Sequence, residues 1–76
     1  MTVDQAVKKY KLQAVNEYTA KVKAQELNVI EVLYMNVTKN SYAYVVRDSH
    51  GLMLYRDERN IFNKLYKGIK IIPLEP

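Results

Sequence analysis

The run SYAYVVRDSHGLMLY, residues 41 to 55, places two apolar arms around a turn. Asp48-Ser49-His50-Gly51 is the turn, with Asp and Gly at positions they favour. A tight turn at 49–50 sets Asp48 opposite Gly51, Arg47 opposite Leu52 and Val45 opposite Leu54. Side chains alternate along a strand, and residues paired across strands share a face. A hairpin with one face in water shows apolar residues on the other face alone. Here both faces are apolar, so each needs a cover.

The flanking segments extend the hairpin. "NVIEVLYMNV", residues 28–37, is dense in β-branched and aromatic residues and reads as a strand. Thr38-Lys39-Asn40-Ser41 reads as the turn into the strand 42–48, and a third strand covers 52–57. A tight turn at 39–40 sets Val37 opposite Tyr42 and Met35 opposite Tyr44. Upstream, Thr2 and Gln5 form a capping box. Val3, Val7, Tyr10, Ala14, Tyr18 and Val22 then recur at helical spacing, with Val15 widening the stripe and no Gly or Pro interrupting it. The spacing predicts a helix over 3–26. Downstream, Asp57 caps a short helix over 58–67 with Ile61, Phe62, Leu65 and Tyr66 as its apolar face, and Gly68 stops it. "IKII" before Pro73 is a short edge strand. The expected architecture is one α+β domain over 1–76 in the order α-β-β-β-α-β. A long N-terminal helix packs on a three-stranded antiparallel meander, followed by a short second helix and a short C-terminal edge strand.

On that register the first face of the sheet carries Ile30, Val32, Tyr34, Ala43, Val45, Leu52 and Leu54, with Asn36, Arg47 and Arg56 to one side. The second carries Leu33, Met35, Val37, Tyr42, Tyr44, Val46, Met53 and Tyr55, with Glu31 and Asp57 at its margins as solvated charges. A slip of one residue in any strand would mix the two sets. A single long helix covers one face and leaves the Tyr/Met face to a partner, or to the 58–72 segment if that folds back and finishes the core. Helix length adds a constraint. A helix over 3–26 runs about 36 Å, whereas a strand of six or seven residues runs about 20 to 23 Å. The helix therefore overhangs the sheet or breaks early.

Composition narrows the function. The chain has 76 residues, 49% of them apolar and 26% charged, and no cysteine. Disulfide scaffolds and thiolate metal sites are excluded. MTVDQAVKK has no apolar run behind a basic start, so no secretory signal is expected. No stretch approaches the length of a membrane span. A cytoplasmic protein is expected. The Lys, Asn, Tyr and Ile content fits a low-GC genome such as that of a phage or mobile element. The net charge of +4 divides between the two ends of the chain, rather than gathering in one basic patch as nucleic-acid binders favour. His50 is the sole histidine, and Asp48-Ser49-His50 are too close in sequence for triad geometry. Two glycines leave no phosphate-cradling loop. Neither catalysis, a metal nor a cofactor is expected.

The α-β-β-β-α order resembles that of the double-stranded RNA-binding domain, and the helix-plus-meander order resembles cystatin-like inhibitors. Asp57-Glu58-Arg59-Asn60 stands where the first family carries a basic cluster, and Thr38-Lys39-Asn40-Ser41 where it carries a Gly/Pro/His loop. The second family's Gln-x-Val-x-Gly hairpin is missing. Neither family is assigned. The reading the residues support is a small non-catalytic interaction or inhibitor protein. It binds a partner protein, or itself as a homo-oligomer, through Met35, Tyr42, Tyr44, Met53 and Tyr55, since Tyr and Met are enriched at interface cores. The alternative is a nucleic-acid-binding module in which sheet tyrosines stack bases while Lys8, Lys9 and Lys23 meet phosphate.

Overall fold

A computed structural model describes residues 1–37, 41–60 and 65–76. The N-terminal segment is two helices, not one. Helix α1 spans Val3–Lys9 and helix α2 spans Glu17–Leu27, with a two-residue strand β1, Gln13–Ala14, between them. The remaining elements are β2 (Glu31–Val37), β3 (Ser41–Asp48), β4 (Gly51–Asn60) and β5 (Leu65–Pro73). The five strands form one antiparallel sheet in the order β1-β2-β3-β4-β5.

The expected long helix over 3–26 is overturned, and backbone hydrogen bonds give the reason. The start is as expected: Gln5 N–H donates to Thr2 Oγ1 at 3.2 Å, and Thr2 N–H donates to Gln5 Oε1 at 2.9 Å. The end comes at Lys11, whose φ of 53° is left-handed. Lys11 N–H donates to the Lys8 carbonyl and Leu12 N–H to the Val7 carbonyl, a Schellman closure with an apolar residue just beyond it. Leu12 is buried in the core, where a continuing helix would not place it. Asn16 then starts α2, its Oδ1 accepting from Thr19 N–H at 2.8 Å. The same closure ends α2 at Asn28, φ 56°, with Val29 N–H on the Ala24 carbonyl. Tyr18, assigned by spacing to the buried stripe, is 78% exposed.

The break sends the two helices to opposite faces of the sheet. Ala6 of α1, with Val3 and Val7 beside it, packs on Ala43, Val45 and Leu54. Ala24 of α2 packs on Val32, Tyr44, Val46 and Met53, with Leu27 alongside. Val45 and Val46 are consecutive, point to opposite faces and are both fully buried. The central strand therefore reads as a continuous apolar run because both its sides are covered.

The hairpin register is as the turns require. Asp48 opposes Gly51, Arg47 opposes Leu52, and Val45 opposes Leu54. Val37 opposes Tyr42 and Met35 opposes Tyr44, while the turn at 38–40 lies outside the described residues. One correction falls in β2, where the register shifts between Val32 and Tyr34. Leu33 joins Tyr34 in the α1 core, whereas Val32 lies in the α2 core. Residues before this bulge are inverted relative to simple alternation. Glu31 thus sits opposite Arg47, with Oε2 3.6 Å from Nη1.

The short helix over 58–67 is also overturned where it can be seen. The strand β4 continues to Asn60, and β5 begins at Leu65, pairing Asn60 with Leu65 and Arg59 with Tyr66. Residues 61–64 lie outside the described residues. Long hairpin pairing replaces local helical spacing, and with it falls the α-β-β-β-α order behind the first family resemblance; the split N-terminal helix and the five-stranded sheet remove the helix-plus-meander order behind the second. The last strand does lie at the sheet edge and ends at Pro73, but it is nine residues long rather than short. The sheet has five strands where a three-stranded meander was expected, because β1 and β5 pair onto its two sides. No described helix is long and apolar enough to cross a membrane.

Candidate functional site: the groove beside the hairpin tip

The Tyr/Met residues share a face as the register requires, but α2 covers much of it. Tyr44 and Met53 are buried among Ala24, Val32 and Val46, and Met35, Tyr42 and Tyr55 are half-buried against the same cluster. The Tyr42 and Tyr44 rings stack nearly parallel, with centroids 6.4 Å apart. Most of the expected binding face is thus the second core. The premise that one helix leaves this face bare fails because that helix is two.

What stays open lies at the margin of α2. A groove of about 510 Å³ runs between the Asn28–Ile30 connection, the 48–50 hairpin tip and β5. Met53 and Tyr55 line it, together with Val29. Ile30 and Ile71 also line it, and they are 67% and 54% exposed. Ile30 borders a second groove as well, of about 770 Å³, between α2 and the flank of β2 that β1 leaves unpaired. Next along β5, Ile69 is 44% exposed. It shares the face of Ile71 and Tyr55, because Ile71 opposes Tyr55 and Ile69 opposes Asp57.

The polar end of the groove is fixed. Asp48 Oδ1 accepts from the His50 backbone N–H at 2.8 Å, and Oδ2 accepts from the Tyr55 hydroxyl at 2.8 Å. The Tyr55 hydroxyl and the His50 N–H hold the Asp48 carboxyl below the usual aspartate range. Burial, and then the bond to Asp48, push the Tyr55 hydroxyl up. Tyr55 is thereby tied into the groove wall as a neutral donor.

Among the described residues no group of three His, Cys, Asp or Glu side chains could hold a metal. His50 lies in an exposed turn and meets Asp48 through its backbone, so Ser49 and His50 form no relay. Glu31 is engaged by Arg47, and the side chain of Asp57 lies outside the described residues.

The lysines of the alternative reading are divided. Lys8 and Lys9 are on α1, which packs on the opposite face from the tyrosines; Lys9 Nζ lies 5.5 Å from the Tyr10 ring centroid. Lys23 is on α2, near Tyr42 and Tyr44, and its Nζ is held by Glu26 at 3.0 Å. That hydrogen bond is the main reason the Lys23 ammonium titrates above its ordinary range.

Met53 and Tyr55 border this groove, and Ile30 and Ile71 were not among the residues singled out from the sequence. Alternation assigns Ile30 to the other face, and nothing in the letters around Leu33 announces the bulge. Ile71 was legible as an edge-strand residue but not as a neighbour of Tyr55, because a helix was expected between them. Comparisons with protein-family models, with curated proteins and with solved structures found no match.

Proposed function

We propose that this protein is a non-catalytic interaction protein, and that it binds a partner protein at the groove between Ile30 and Ile71. The observation that carries this reading is the pair of exposed isoleucines on a groove lined by Met53 and Tyr55. Single exposed apolar residues are ordinary, but two that border one groove together with Val29, Met53 and Tyr55 make a cluster of the kind that marks an interaction surface. Tyr and Met suit such a surface, since aromatic and thioether side chains adapt their packing to a partner. Of Met35, Tyr42, Tyr44, Met53 and Tyr55, Met53 and Tyr55 line this groove.

Nucleic-acid binding by sheet tyrosines and helix lysines together draws less support, because Lys8 and Lys9 lie away from the tyrosine face.

The test begins with a photo-crosslinking side chain placed at Ile30 and, as a control, at Lys8. A protein labelled from Ile30 alone is then purified and titrated against the native chain, Ile30→Ser and Ile71→Ser. Each serine variant should keep the native circular dichroism spectrum and bind at least several-fold more weakly. Equal labelling from both positions, or undiminished binding by both variants, contradicts the proposal.

A further inference from the structure

The edge strand beside the groove has its own geometry. Leu74 N–H donates to the Leu52 carbonyl at 2.9 Å, and the same register pairs Leu54 with Ile72 and Arg56 with Lys70. Antiparallel ladders alternate bonded and non-bonded pairs. The backbone groups of Ile72 and Lys70 therefore point to β4, and those of Ile69 and Ile71 point outward. Pro73 takes the next outward position, so its missing N–H costs no ladder bond. Beyond it, the outward N–H of Glu75 is already taken by the Met1 carbonyl at 2.9 Å, and Thr2 bridges Glu75 in parallel. The chain thus uses this edge for strand pairing at Glu75, and among the described residues none pairs with it across Ile69 and Ile71.

Charge decides what fits there. Lys70 lies between the two isoleucines in sequence and points to the opposite face, directly across from Arg56. Arg56 rests on the Tyr10 ring, 4.8 Å from its centroid, and Lys9 shares that ring. Lys70 is thus the cation at the edge itself, with Arg56 one strand in and held over Tyr10. A second copy pairing antiparallel, with Ile69 and Ile71 of each chain bonded to the other, would set Lys70 against its own counterpart. Like charges directly opposite destabilise a sheet. A foreign strand has no such conflict when an acidic residue stands opposite Lys70 and apolar residues stand opposite Ile69 and Ile71.

We infer that the partner of the groove contributes an extended segment that adds to the edge of β5 and alternates apolar with acidic residues. Its apolar side chains extend the Ile69–Ile71 surface, and its carboxylates meet Lys70. This inference rests on the groove reading and specifies the partner's chemistry.

The test uses the native chain and short capped peptides alternating Val with Glu, or Val with Lys. Amide hydrogen exchange is followed by NMR. The Val/Glu peptide should slow exchange at Ile69 and Ile71. It should bind about fivefold more tightly than the Val/Lys peptide, a ratio at the scale of a cross-strand charge pair. Lys70→Glu should reverse the preference. Ile71→Pro removes only an outward donor, so the fold should remain and the peptide effect should vanish, while Ile71→Val should retain it. The inference is overturned if neither peptide slows these amides, if both bind alike, or if protein concentration alone slows them, which would make the occupant a second copy. Failure here with Ile30→Ser still impairing the crosslinked partner would leave the groove reading standing and remove only the strand.

Discussion

At the scale of single residues, Val45 and Val46 hold the most information. On a sheet with one wet face, a polar substitution at one of two consecutive positions is tolerated. Here both side chains are fully buried, against Ala6 and Leu54 in one core and Ala24 and Tyr44 in the other. Val45→Thr and Val46→Thr should therefore each destabilise the protein by about 1–3 kcal/mol, the cost of burying an unpaired hydroxyl, as read by urea unfolding. Tyr55 and Asp48 make a second prediction. A depressed Asp48 pKa contributes stability that is present above the unfolded-state value of about 3.9 and is lost as pH falls through the lower folded value. Tyr55→Phe removes the leading cause of that depression. The Asp48 carboxyl should then titrate at higher pH, measured by the carboxyl carbon shift, and the acid-side stability window should narrow.

At the scale of elements, the capping box at Thr2, the hairpin at 49–50 and the edge strand ending at Pro73 were all legible. Each is set by local chemistry: a side-chain cap, an Asx turn, a missing N–H. The break of the N-terminal helix was legible only as an alternative posed by its length. Lys11 has no local reason to turn left-handed; burying Leu12 in the α1 core supplies one. Asn16 is a good N-cap hidden within a continuous helical stripe. Asn16→Ala should cost about 1 kcal/mol. Lys11→Gly should stabilise by roughly 0.5–1 kcal/mol, because glycine enters the left-handed region without strain. Thermal or denaturant unfolding of each variant checks both. The misread helix over 58–67 has a different cause. Short apolar runs fit helix and strand alike, and the pairing of β5 with β4 over most of its length decides between them. The bulge at Leu33 arises where Leu33 and Tyr34 together face Val45, and it moves Ile30 to the groove.

At the scale of the whole molecule, the sheet is flanked by one helix on each face, and the radius of gyration is 12.0 Å. A compact chain of this length is expected near 11.4 Å by the usual scaling, about what a closed monomer requires. Among the described residues the open features that bear on binding are the Ile30–Ile71 groove, the groove between α2 and β2, and the β5 edge. With Lys70 disfavouring self-pairing, light scattering at two concentrations should return the mass of one chain at both. A mass that doubles on concentration would make the partner a second copy.

The account depends on the two helices covering opposite faces of one sheet, and methyl-resolved nuclear Overhauser contacts test that directly. The Ala6 methyl should contact Val45 and Leu54, and the Ala24 methyl should contact Val46 and the Tyr44 ring. Ala6 and Ala24 both contacting Val45 and Leu54, with Tyr44 and Val46 lacking any helix contact, would contradict it.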